Sequence, residues 1–249
     1  MTSRAKRLWL WIGIPAGIVL LIVLAAGLLM LSNIGGFASL DSREVVSNIY
    51  VVRGAGYVNF YVVKGDGGLV AFDCGMDKAI AAKEMSTLSL DPLKVKALFL
   101  THTDSDHAGA LGLFSNAKVY ISEQEEQMVN GNTPRMMFSA NSVPAGYSLL
   151  RDGQDIEIAG LKIRCILTPG HTPGAMCYLV NGKYLFTGDT LSLKNGRAGT
   201  FNDLFNMNTS LQKSSLAKLA KLSGVEYIFT AHHGYSDDFQ KAFEPWKNN

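Results

Sequence analysis

The sequence predicts an α/β domain, a pair of mixed sheets covered on the outside by helices, preceded by one transmembrane helix. Two observations carry this. Residues 8–31 form a single uncharged apolar run, and the remainder falls into two halves, each a set of short apolar strands followed by helical stretches. The 23 basic and 21 acidic side chains leave a net charge of +2, and 47% of residues are apolar, so the chain is not disordered. No long run of one charge sign occurs, so no nucleic-acid partner is expected. The 3 cysteines are too few for a disulfide scaffold.

Residues 1–7 carry Arg4, Lys6 and Arg7, and no further basic residue follows until Arg43. As a helix, residues 8–31 would run about 36 Å, longer than a hydrocarbon core of about 30 Å. The charge bias places residues 1–7 in the cytoplasm and everything after residue 31 outside it, on a single-pass cell-membrane protein. A cleavable signal peptide is the rival reading, since Gly36-Phe37-Ala38 offers small residues, but signal cores are much shorter. Residues 32–42 read as a linker of small residues, and residues 43–249 as one domain.

Within that domain Val45–Val52 and Tyr57–Val63 read as strands, and Lys64-Gly65-Asp66-Gly67-Gly68 as a hairpin turn leading to a strand at Leu69–Phe72. A helix over Lys78–Leu88 is followed by an apolar strand at Val95–Leu100, then helices near 107–114 and 122–129. The second half gives strands near 155–158, 161–167, 175–180 and 183–187. An amphipathic helix at Leu211–Leu222, a strand at Tyr227–Thr230 and a helix at Asp237–Trp246 complete it.

All 5 histidines follow strands: His102 and His107, His171, and His232 with His233. Strand-end loops are where a rigid scaffold can aim imidazoles at one metal ion. Carboxylates accompany them in His102-Thr103-Asp104-Ser105-Asp106-His107 and in Gly188-Asp189. A helix cap would need one such residue, not two aspartates and two histidines. Taken singly, His171 could be a hydrogen-bonded turn residue and His232-His233 surface polar residues.

Together these stretches resemble the metallo-β-lactamase superfamily. The resemblance rests on Asp73 in Ala71-Phe72-Asp73-Cys74-Gly75, on the His102–Gly109 motif, on Thr168-Pro-Gly-His171-Thr-Pro-Gly174, on Gly188-Asp189 and on His233-Gly234. It extends over essentially all of residues 43–249. It implies a four-layer αββα sandwich with two divalent metal ions at one edge. By this resemblance His102, Asp104 and His171 hold the first ion. Asp106, His107 and His233 hold the second, and Asp189 bridges. His233 is preferred to His232 because the last ligand in the family usually precedes glycine. Asp73 is the implied structural aspartate that orients the metal loop.

One position departs from the pattern, since residue 104 is Asp where most of the superfamily has His. Zinc is the expected metal, but aspartate is a harder, charged ligand that shifts preference toward oxygen-loving ions, so Mn or Fe stand as alternatives. Its charge also weakens the Lewis acidity of the pair. The implied reaction is hydrolysis of an ester, thioester, lactone, amide or phosphoester by a metal-bridged water or hydroxide, with Asp106 handling a proton. A diiron oxidoreductase, whose relatives also carry a carboxylate at this position, and a non-catalytic metal-binding sensor are the alternatives. The small-molecule substrate is not legible, because the loops 130–146 and 191–208 carry no signature. Cys165 and Cys177 lie on strands joined by the His171 turn, where either core packing or a disulfide is open.

Overall fold

The computed structural model describes residues 17–25, 27–28, 36–135, 141–143 and 146–247. It comprises two compact units, residues 1–36 and 37–249. In the first, residues 17–25 and 27–28 are helical, and Ile18 to Leu24 and Leu28 each expose more than half of their surface. Among the described residues no helix is long and apolar enough to cross a membrane. The apolar run 8–31 lies partly outside the described residues.

The second unit holds a seven-stranded sheet with β1 (Arg43–Val46), β2 (Ile49–Arg53), β3 (Asn59–Gly65), β4 (Gly68–Phe72), β5 (Val95–Phe99), β6 (Lys118–Ser122) and β7 (Ser148–Leu150) side by side in chain order. Pairing is antiparallel from β1 to β4 and parallel from β4 to β7. The predicted hairpin is present, with Asp66-Gly67 joining paired Gly65 and Gly68. The second sheet contains β8 (Asp155–Ile158), β9 (Leu161–Leu167), β10 (Met176–Val180), β11 (Tyr184–Gly188), β14 (Tyr227–Thr230) and β15 (Tyr235–Ser236), with β14 next to β11. Only the β11–β14 pairing is parallel in this sheet. A small hairpin of β12 (Ser192–Lys194) and β13 (Arg197–Gly199) stands apart.

Side-chain alternation along the strands builds the layers. Tyr61 and Val63 of β3, Phe99 of β5 and Tyr178 of β10 meet Phe186 and Phe229 between the two sheets. The rings of Phe72 and Phe186 stack there, 4.2 Å apart. The intervening residues Phe60, Val62 and Leu98 point outward beneath Ala81 and Met85 of α1 (Lys78–Thr87). On the other side Cys177, Leu179 and Ile228 meet Leu216 and Leu219 of α4 (Thr209–Leu219) and Phe239 of α5 (Phe239–Ala242). Helix, sheet, sheet, helix is therefore the layer order, and β10 is apolar throughout, and β5 apart from its exposed Lys96, because both of their faces are covered.

Several expected elements differ. Val45–Val52 is two strands, because Asn48 turns the chain with φ 66°. The helix expected at 122–129 is present as a 3-10 turn at Glu123–Glu125 continued by α3 (Glu126–Val129), and it is preceded by a strand that was not expected, β6, whose Val119-Tyr120-Ile121 core pairs beside β5. The stretch 107–114 divides into α2 (Ser105–Ala108) and one 3-10 turn at Leu111–Leu113. Cys165 and Cys177 do not pair. They sit on neighbouring strands but face opposite sides of the sheet, Cys165 between the sheets and Cys177 toward α4.

Candidate metal centre

The candidate ligands come from loops that leave the strands of both sheets at one edge. Asp73 follows β4 in a left-handed conformation, φ 60°, and its carboxylate organises the loop after β5. Its Oδ1 accepts from the Thr101 amide at 2.7 Å, and its Oδ2 accepts from the Thr101 hydroxyl at 2.9 Å and from His107 Nδ1 at 2.8 Å. The Thr101 hydroxyl also lies 3.0 Å from His102 Nδ1. Both histidines thereby present Nε2 to the interior, and a carboxylate behind a metal-binding imidazole is the usual means of fixing its ring. The role expected of Asp73 matches these contacts.

His171 stands on a turn that its glycines make possible. Gly170 has φ 145°, and a side chain there would collide with the backbone of Gln212. Gly174 lies against the Glu125 backbone with no room for a Cβ. His171 Nδ1 is 3.3 Å from Asn206 Oδ1, which leaves its Nε2 facing the other ligands.

The side chains converge in overlapping groups. His102, Asp104 and His171 form one, His102, His107 and Asp189 a second, and Asp106, His107 and His232 a third, with donor atoms within 4.8 Å of one another in each. Asp104 Oδ2 is 3.5 Å from His102 Nε2 and 3.2 Å from His171 Nε2. Asp106 Oδ2 is 3.6 Å from His107 Nε2 and 3.2 Å from His232 Nε2. Asp189 Oδ2 is 3.6 Å from both His107 and His171, between the two sets. Ligands about 2.1 Å from a tetrahedral ion are roughly 3.4 Å apart, which is the spacing found. Moreover His102 Nε2, His107 Nε2 and Asp189 Oδ1 are buried without a hydrogen-bond partner. Such orphaned atoms are costly unless something binds them, so the donor set fits divalent metal.

His232, not His233, enters this cluster. The end of β14 closes in a tight turn in which the His233 amide donates to the Thr230 hydroxyl, and Thr230 N donates to the Gly234 carbonyl. The turn directs the two rings apart. His232 Nδ1 lies 2.8 Å from the Tyr57 carbonyl and its Nε2 is 3.4 Å from Asp189 Oδ1. His233 instead meets the edges of Phe37 and Phe201. The residue before glycine, expected as the ligand, is thus turned away from the cluster, because residue order ignores the direction of a turn.

Electrostatics follow the geometry. Burial lowers the pKa of His171. Burial opposes charge on His107 and His232 too, but Asp106 and Asp189 outweigh it, and His232 is raised to about 10 and His107 well above the usual value. Although burial raises Asp106, the neighbouring imidazoles lower it to about 2. Asp104 is likewise held far below the carboxylate range by His102, His171 and Arg135 against the effect of burial.

Several functional residues escaped sequence reasoning. Glu125, buried, accepts from the Thr103 amide and hydroxyl, each at 2.8 Å, and from the Thr172 hydroxyl at 2.6 Å. It ties the residue after His102 to the residue after His171. Arg135 and Asn141 reach Asp104, and Phe37, Phe201 and Phe205 wall a cavity of about 690 Å³ over the cluster. No spacing rule points to any of these. Cys74, by contrast, is no ligand, since it is buried and its thiol donates to the His107 carbonyl.

The sequence model described as Metallo-beta-lactamase superfamily matches residues 53–232. The probable polyketide biosynthesis zinc-dependent hydrolase PksB of Bacillus subtilis is 34% identical over 113 residues, 44% of this chain and 45% of that protein. A hydroxyacylglutathione hydrolase of Photobacterium profundum is 29% identical over 175 residues, 70% of this chain and 62% of that protein. The chain thus spans about half the length of the curated relatives it matches. In fold it is similar to a metallo-beta-lactamase family protein from Thermus thermophilus, with TM-score 0.64 and 24% identity over 82% of this chain and 80% of that one. BJP-1, a subclass B3 metallo-beta-lactamase of Bradyrhizobium japonicum, aligns with TM-score 0.63 and 18% identity over 79% of each chain. With the family match spanning most of the domain from β2 to the last histidine loop, the chain belongs to the metallo-beta-lactamase superfamily.

Proposed function

We propose that this protein is a metal-dependent hydrolase that binds two divalent ions, zinc first among them, and cleaves an ester-, thioester-, lactone-, amide- or phosphoester-type bond. The observation that carries the reading is the convergence of seven ligand side chains with buried, unpartnered donor atoms at the floor of the cavity. His102, Asp104, His171 and Asp189 would hold the first ion, and Asp106, His107, His232 and Asp189 the second. Relatives named as hydrolases, one of them zinc-dependent, support the same reading.

Bound ions would supply Lewis acidity toward a carbonyl or phosphoryl oxygen and bring water toward ionisation at neutral pH. The chain does the rest. Asp73 and the Tyr57 carbonyl hold His107 and His232 in the tautomer that leaves Nε2 free. Asp106, ionised and on the cavity wall, accepts a hydrogen bond from the attacking water and orients it. Phe37, Phe201 and Phe205 exclude water on one side and offer an apolar surface to a substrate chain. The aspartate at position 104 leaves Mn or Fe as alternatives to zinc.

The domain is further proposed to sit outside the cytoplasm, anchored by residues 8–31. The uncharged run behind Arg4, Lys6 and Arg7 supports this.

To test the hydrolase reading, the full chain is stripped with chelator, reloaded with Zn, Mn or Fe, analysed for metal and assayed on an ester, thioester, lactone and phosphodiester panel. Hydrolysis should appear only on reloading. His232→Ala should lose an ion that His233→Ala retains. Absence of bound metal after every reconstitution overturns the proposal.

A further inference from the structure

The first of the two metal positions is contested by a side chain of the protein itself. Arg135 lies on the cavity wall, mostly buried, and its guanidinium is directed at the same atoms that would hold the first ion. Its Nε is 2.9 Å from both oxygens of Asp104, and its Nη2 is 2.7 Å from Asp104 Oδ2. The same Nη2 is 3.0 Å from His171 Nε2 and donates to the Phe205 carbonyl at 2.9 Å. Asn141 Nδ2, 3.0 Å from Asp104 Oδ1, supports the carboxylate from the other side.

These contacts exclude a metal ion on chemical grounds. A neutral imidazole has one lone pair on its unprotonated nitrogen. With His171 Nδ1 against Asn206 Oδ1, that lone pair is on Nε2. The two Nη2 protons are shared among Asp104 Oδ2, the Phe205 carbonyl and this nitrogen, and the cationic Nη2 at 3.0 Å crowds the place an ion about 2.1 Å from the same lone pair would take. Asp104 Oδ2 is drawn into the same choice, because the guanidinium and an ion bound by His102 and His171 would place positive charge on one oxygen from within a few ångströms of each other. The second position has no such rival: among the described residues no lysine or arginine contacts Asp106, His107, His232 or Asp189 in a salt bridge.

We propose that Arg135 is an intramolecular competitor for the first metal position, so that the protein binds one ion tightly through Asp106, His107, His232 and Asp189, and a second only when the guanidinium leaves Asp104 and His171. The substitution of aspartate for histidine at position 104 is what makes this possible. A histidine there would offer the guanidinium no charged, two-oxygen acceptor, whereas a carboxylate matches its fork. Asp104 and Arg135 therefore act as a unit, and the affinity of the first position is set by the ease of separating them.

The inference rests on the metal reading proposed above, and the test separates the two. Metal-free full-length protein is titrated with Zn²⁺, and again with Co²⁺ to follow the ligand-field absorption of each site. Wild-type protein should take up one ion tightly and a second at least tenfold more weakly. In Arg135→Met, and in Arg135→Gln should the first variant fold poorly, the second ion should tighten at least tenfold while the first is unchanged. Two ions of equal affinity in wild type, or a second-ion affinity unaltered in both variants, overturns the competition alone. No bound ion in any of the proteins overturns the metal reading and this inference together.

Discussion

Glu125 gives the sharpest test of how the metal loops are held. Its carboxylate is buried and serves three donors, the Thr103 amide, the Thr103 hydroxyl and the Thr172 hydroxyl. Glu125→Ala strands the Thr103 amide and the Thr172 hydroxyl, each buried, at about 1 to 3 kcal/mol apiece. The Thr103 hydroxyl still accepts from Asn141 Nδ2, but its own proton loses its acceptor as well. Lost methylene packing adds about 0.8 kcal/mol per group. Against this stands relief of burying the carboxylate, which is why the Glu125 pKa is raised. The balance is a loss of about 3 kcal/mol, or roughly 6 to 12 °C in Tm for a domain of this size. Glu125→Gln can keep all three contacts, with Oε1 toward Thr103 and its amide nitrogen donating to the Thr172 hydroxyl, and should cost less than about 1 kcal/mol. Because Thr103 and Thr172 flank ligands, Glu125→Ala should also weaken zinc by roughly 10- to 100-fold. Thermal unfolding of metal-free protein and competitive zinc titration measure both effects. An alanine variant melting within about 2 °C of wild type, or a glutamine variant as damaged as alanine, refutes the reasoning.

Two further outcomes follow from charge. In metal-free protein His232 titrates at about 10 and His107 well above the ordinary value, through the carboxylates Asp106 and Asp189. Raised histidines stabilise the metal-free fold fully below about pH 6.5 and lose that contribution as pH rises through about 10. Zinc must displace these protons, so its affinity should rise about tenfold per pH unit for each proton displaced between pH 7 and 9, read as proton release in weakly buffered titrations. An affinity flat across that range removes the two imidazoles from the site. For the anchor, protease added to intact cells should digest the domain after residue 42 while the protein sediments with membranes, and a protected or released domain would contradict it.

What was legible in the sequence is what short-range rules determine. Asp66-Gly67 fixes a hairpin, and the mostly apolar Val95–Leu100 marks a short strand. His102, Asp104, Asp106, His107, His171 and Asp189 stand where strands end, and the structure gathers all of them. Other features depend on three-dimensional paths. Glu125 looks like one more charge in Glu123-Gln124-Glu125-Glu126, yet Gly174, Thr103 and Thr172 close over it and it is buried. Arg135, Asn141, Phe201 and Asn206 lie in loops without period or motif, yet each contacts the cluster or its ligands. The His232–His233 choice turned on the hydrogen bonds of one turn, which sequence order cannot supply.

The pattern of strand pairing explains why the centre lies where it does. Parallel neighbours end at the same edge, whereas antiparallel neighbours end at opposite ones. In the first sheet β4 and β5 are parallel, so Asp73 and the His102–His107 loop emerge together. In the second, β11 and β14 are the parallel pair, and they deliver Asp189 and His232. His171 comes from the turn between β9 and β10, whose Met176 amide donates to the Thr101 carbonyl of the first sheet. The candidate ligands are thus divided between two sheets held face to face by Phe72, Phe99, Tyr178 and Phe186, and each candidate group draws side chains from both. An ion held by both sets cross-links the sheets, so its binding free energy adds directly to the stability of their packing. The apolar interface and the charged edge are in this sense one structure: the first brings carboxylates and imidazoles within 4 Å of one another, and the metal turns that costly proximity into cohesion.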